Sequence, residues 1–77
     1  VKVKVYVTLK PSILDPQGKT ITQALHTLGY DAITDVRQGK FFELDIEAHS
    51  PDDARAAASE VAERVLANPV IESYWVE

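Results

Sequence analysis

Chemistry in a chain this small would have to come from its histidines, serines, carboxylates and glycine-rich turns, since it holds no cysteine. His26 and His49 have no second ligand at metal spacing and no thiolate to join them, so no metal site is expected. Ser12, Ser50, Ser59 and Ser73 stand without a neighbouring histidine to activate a hydroxyl. The acids Glu43, Asp45 and Glu47 alternate along one stretch, and Asp52-Asp53 form a second pair. Each set has a structural task, as the face of a strand or at a helix start. General acid–base work also needs a pocket that shifts a pKa, and 77 residues leave little room for one. Gly18-Lys19-Thr20 has the last three residues of a phosphate-binding loop, but Ile13 stands where that loop needs its first glycine. Gly39-Lys40-Phe41-Phe42 has the flavour of an RNA-stacking strand. Consecutive aromatics point to opposite faces, however, and the acids that follow repel phosphate. These residues predict neither catalysis by the chain alone nor a cofactor.

Charge and length narrow the partners. Twelve Asp and Glu against eight Lys and Arg give a formal charge of −4, which disfavours binding to nucleic acid or to anionic membrane surfaces. No apolar run reaches a membrane span, and residues 1–9 alternate rather than forming a secretory leader. A cytoplasmic chain is expected, folded as one domain over 1–77. A domain this short buries only about 60–65% of its unfolded surface, so association with other chains is a natural source of further stability.

The elements that must position these residues follow from periodicity. Val1, Val3, Val5, Val7 and Leu9 face one side of a strand, with Lys2, Lys4, Tyr6 and Thr8 on the other. Asp15-Pro16 reads as an N-cap followed by proline at the first helical position. Ile21, Ala24, Leu25 and Leu28 form the apolar stripe of this helix, and Gly29 suits its left-handed end. Because Gly18 falls in the first turn, the helix is expected to settle near Lys19 or Thr20. Residues 32–47 read as two strands reversing at Gln38-Gly39-Lys40, the first of them irregular over Ile33–Arg37. Phe42, Leu44 and Ile46 mark the core side of the second. Ser50-Pro51-Asp52-Asp53 opens another helix, with Ala54, Ala58, Val61, Ala62 and Val65 as its buried stripe. Asn68-Pro69 closes it with a left-handed-tolerant residue and a breaker, and Val70 to Val76 forms the last strand.

The order predicts an α+β fold of ferredoxin-like βαββαβ type, an antiparallel sheet of four strands with two helices on one face. The face without helices then carries Lys2, Lys4 and Tyr6 beside Glu43, Asp45 and Glu47, with Phe41 on the same side. Tyr6, Phe41, Tyr74 and Trp75 are candidates for self-association through that face, where Tyr74 and Trp75 must point in opposite directions.

Three segments together resemble the PurS family of small subunits of phosphoribosylformylglycinamidine synthase. They are Lys10-Pro11-Ser12-Ile13-Leu14-Asp15-Pro16-Gln17-Gly18, Asp35-Val36-Arg37-Gln38-Gly39-Lys40 with the acidic strand after it, and Leu66-Ala67-Asn68-Pro69-Val70-Ile71-Glu72. Leu28-Gly29-Tyr30 fits the same pattern, and the likeness spans essentially the whole chain. Trp75 departs from it, standing where the family commonly has a polar or charged residue. The resemblance implies a non-catalytic accessory subunit of purine biosynthesis that forms dimers or tetramers. It would hold a glutaminase subunit, PurQ, and an ATP-dependent synthetase subunit, PurL, together, so that ammonia passes between them. It also implies partner contacts at Lys10, Pro11, Asp15, Pro16, Gly18, Arg37, Gly39 and Lys40. Pro11, Pro16, Gly18 and Gly39 have an alternative reading as backbone-shaping residues. Arg37 and Lys40 flank a glycine in what reads as a turn, where folding has no use for their charges. The competing functional reading is an ACT-like small-molecule-sensing dimerisation module, with Gly29 or Gly39 lining its ligand cleft.

Overall fold

A computed structural model describes residues 1–77. Three strands form one antiparallel sheet: β1 (Lys2–Leu9), β2 (Gly39–Asp45) and β3 (Glu72–Val76). The two helices are α1 (Pro16–Thr27) and α2 (Pro51–Val61), and α2 continues as a π-helical turn, Ala62–Leu66. β1 is central, in the order β2-β1-β3. Lys2 lies opposite Asp45, Lys4 opposite Glu43 and Tyr6 opposite both Phe41 and Trp75. The α+β class and the ferredoxin-like succession of elements therefore stand, with one strand of the βαββαβ layout unformed: the sheet has three strands and not four. The expected second strand, Ile33–Arg37, runs as irregular chain. Its apolar residues do not alternate, so no single face holds them against a core. Nor do Gln38-Gly39-Lys40 make a turn: Gly39 begins β2.

The core is thin. Val3, Val5 and Val7 project from β1 onto Ala54 and Ala58 of α2, Ala62 of the π turn and Ala67, with Phe42, Leu44, Tyr74 and Val76 packed around them. Alanines let the helix axis lie close to the strands, which is why this pairing excludes water with small side chains. Ser50 caps α2 by accepting from the Asp53 amide, while Asp52 and Asp53 sit in its first turn against the positive end of the dipole. Val61 and Val65, expected in the buried stripe, are exposed. Val61 flanks the Ala54–Ala58–Ala62 stripe of the regular helix, and for Val65 the wider turn supplies the reason. Ala67 N–H donates to Ala62 O, an i→i+5 bond, and the extra residue rotates Leu66 and Ala67 inward in place of Val65. Asn68 is not left-handed either, since no residue but Gly29 has a positive φ. Its side chain instead accepts from the Val70 amide in an Asx turn.

The helix cover comes from α2. The Asp15-Pro16 start of α1 forms as the sequence implies, earlier than Lys19, and Gly29 follows its end with φ 97°. Yet the stripe expected to be buried is not. Ile21 and Leu28 are exposed, Ala24 with them, and only Leu25 is half-covered. The buried side of α1 is the opposite one, Gly18 and Thr22. The molecule extends 50 × 24 × 14 Å with a radius of gyration of 15.9 Å, against about 11.5 Å for a compact domain of this length.

Candidate functional site

The residues singled out in the first loop and before β2 converge into one clasp. Asp15 is only 5% exposed. One carboxylate oxygen accepts from Gly18 N–H at 3.0 Å, capping α1, and the other accepts from Gln38 N–H at 2.9 Å, across the chain. These two backbone donors hold its carboxyl below the usual aspartate range, helped by the Arg37 charge. Arg37 completes the clasp. Its guanidinium donates to the carbonyls of Leu9, Lys10 and Ile13, the nearest at 2.9 Å. Gly18 lies so close to Val36 O that no Cβ fits between them. It is a packing glycine inside a helix, not part of a phosphate loop. Gly39, at the start of β2, is a packing glycine too, since a Cβ there would come 2.6 Å from Val7 O.

The premise that the Arg37 and Lys40 charges serve no folding purpose is therefore overturned. Arg37 ties down the loop, and Lys40 Nζ lies 3.5 Å from a Glu72 carboxylate that is itself largely covered. The other Glu72 oxygen accepts from Asn68 N–H. Lys10, Pro11, Asp15, Pro16, Gly18, Arg37, Gly39 and Lys40 thus belong to one region, joined by bonds within the chain. A small cavity of about 210 Å³ lies there, but its Asp15 carboxylate and Lys40 ammonium already have partners. Sequence reasoning missed this clasp because its bonds join side chains to main chain across more than twenty residues, and no periodicity announces them. His26 shows the same limit: its ring pairs with Ile33 O at 2.7 Å, fastening the segment after α1.

On the helix-free face the expected aromatics do meet. Phe41, Tyr6 and Trp75 form a row across all three strands, with ring centroids 5.1 and 5.2 Å apart and the Trp75 ring nearly parallel to Tyr6. The Glu77 carboxylate beside the Tyr6 hydroxyl raises the phenol above its usual pKa. Lys2 pairs with Glu43 at 3.6 Å. Tyr74 does not belong to this row: it points to the helix side, 3.3 Å from the Ser59 hydroxyl.

A clasped loop, a helix with an uncovered stripe and an aromatic sheet face define the class, a small α+β module whose main resource is surface for other chains. The particular family follows from comparison. The PurS family model, phosphoribosylformylglycinamidine (FGAM) synthase, matches residues 2–77, and the chain belongs to that family. It is 51% identical over 76 residues to the PurS subunit of Bacillus subtilis, covering 99% of this chain and 89% of that one. It is 46% identical to the Synechocystis subunit, covering 96% and 74%. The solved Bacillus subtilis PurS superposes with a TM-score of 0.86 over 99% of this chain and 94% of that one. A chain in the structure of PurLQS from Thermotoga maritima, 30% identical, gives 0.90 over 99% and 93%. This family assignment replaces the ACT-like alternative. Gly29, one of that reading's cleft residues, ends α1 in open space.

Proposed function

We propose that the chain is the accessory subunit that holds the PurQ glutaminase and the PurL synthetase of FGAM synthase together for ammonia transfer. Family membership supports the complex, and the likeness to a chain of PurLQS supports the two partners. The observation that carries a binding role is the surplus of surface. The chain exposes 5577 Å², where a compact domain of its mass exposes about 4,700 Å². The excess of about 900 Å² matches one partner's share of a standard interface, about 800 Å². α1 contributes to it, with Ile21 and Leu28 exposed on its apolar stripe. A second copy of this chain covers part of that stripe, giving a homo-oligomer, and the synthetase and glutaminase contact the clasp around Asp15 and Arg37. This reading places the chain in the cytoplasm, in keeping with the absence of any helix long and apolar enough to cross a membrane.

The test is reconstitution with and without the chain, driven first by glutamine and then by ammonium. A holding subunit is required for glutamine-driven turnover and dispensable for ammonium-driven turnover by the synthetase. Equal rates with glutamine in its presence and absence would refute the role.

A further inference from the structure

Arg37 is a cation held in place without being neutralised. One terminal nitrogen, Nη2, makes all three of its bonds to the carbonyls of Leu9, Lys10 and Ile13. None of the four ion pairs of the chain includes it. The Asp15 carboxylate beside it already accepts from the Gly18 and Gln38 amides. Nε and Nη1 of Arg37 therefore keep their donors, on a side chain whose position the clasp has fixed. Arg37 borders a groove of about 560 Å³ at the loop end of the helix-free face, with Pro11 and Asp35 as its other walls. Its floor is Thr8 and Ser73, which lie opposite each other on β1 and β3. Neither hydroxyl makes a hydrogen bond within the chain.

We propose that this groove binds a small sugar phosphate of the size and charge of a pentose phosphate. A guanidinium with two donor groups free is suited to a bidentate grip on a phosphate. The Thr8 and Ser73 hydroxyls can donate to its remaining oxygens. Asp35 excludes a bare anion as the best occupant, because its carboxylate repels one. A carboxylate instead accepts from sugar hydroxyls, as the acidic residue of dinucleotide folds does from ribose. The volume agrees, since it lies within the range of small-molecule sites, about 300–1,000 Å³, and exceeds what a phosphate ion fills. A simple carboxylate ligand would leave the hydroxyls and Asp35 unused. A nucleic-acid strand would run on past Glu43 and Asp45, which repel it. The groove is open on one side, so only part of the ligand is buried and the dissociation constant should fall at about 1–10 mM. The site is read on the chain alone, so its failure leaves the assembly role standing, and the reverse holds too.

The test is nitrogen–proton correlation NMR of the full chain, titrated separately with ribose 5-phosphate, inorganic phosphate and ribose. Saturable shifts are expected at the Thr8, Asp35 and Ser73 amides and at the Arg37 Nε–H. Ribose 5-phosphate should bind about fivefold tighter than inorganic phosphate, the worth of one further hydrogen bond, and ribose should cause no shift. Ser73→Asp sets a second carboxylate against the phosphate and should weaken binding at least about tenfold. Asp35→Ala should keep phosphate binding and erase the preference for the sugar. Neither residue bonds to the clasp, thermal melts verify that both variants fold, and either variant alone decides the matter. Shifts that never saturate and spread over Lys2, Lys4 and Lys19 would overturn the proposal. So would equal binding of inorganic phosphate and ribose 5-phosphate, or variants that bind as the parent does.

Discussion

Asp15 joins two elements through one carboxylate, and the consequences are measurable in acid. Its folded pKa lies below that of the unfolded chain, about 3.9, so the stabilisation it gives is complete above that value. It is lost as pH falls through the lower folded value. Asp15→Asn should accordingly flatten the dependence of unfolding free energy on pH below about 4, measured by urea titration, while also lowering stability at pH 7. Tyr6 runs the other way. Its raised phenol keeps the proton that the Glu77 carboxylate accepts, so the contribution is present at neutral pH and fades as pH rises past 10. Gly18→Ala forces a methyl toward Val36 O, an overpacking expected to cost about 1–3 kcal/mol in the same titration.

Among elements, β1 and α2 carry the fold while α1 carries little of it. Val5→Ala opens the centre of a seven-residue core and should cost about 2–3 kcal/mol. Val65→Ala, on the exposed side of the π turn, should stay within about 0.5 kcal/mol. Leu28→Asp, on a side chain 73% exposed, should leave the melting of the isolated chain nearly unchanged and weaken its association, measured by mass. That contrast also marks how far the sequence is legible. Strict alternation in β1 and β2 and the capping residues of both helices locate the elements, because local geometry dictates those residues. The apolar stripe of α1 is equally clear, but periodicity says only that a face wants cover and never which molecule supplies it. Val65 misleads for a different reason. A single i→i+5 bond shifts the helical phase, and nothing in the residue types of Ala62–Leu66 demands it. The clasp at Asp15 and Arg37 was legible as residues and not as a contact, since its partners are main-chain atoms of no particular sequence.

The whole molecule is long, thin and sparsely buried, with ten of 77 residues out of solvent. The radius of gyration in solution, by small-angle scattering at low concentration, should lie near the 15.9 Å of the Cα trace with its hydration added. A value near 11.5 Å, the compact expectation, would mean that α1 folds back on the sheet.

Three valines and four alanines are also a short-lived core. Net stability for a domain of this length is about 4–11 kcal/mol, and so small a core belongs at the lower end. A copy that has found no partners opens often enough for proteases to reach it, and binding suppresses that opening by mass action. Free subunits should then be cleaved faster than assembled ones, as limited proteolysis with and without the partners would measure. The thinness of the fold would thereby match the number of copies to the number of complexes, with no regulator beyond the interface itself.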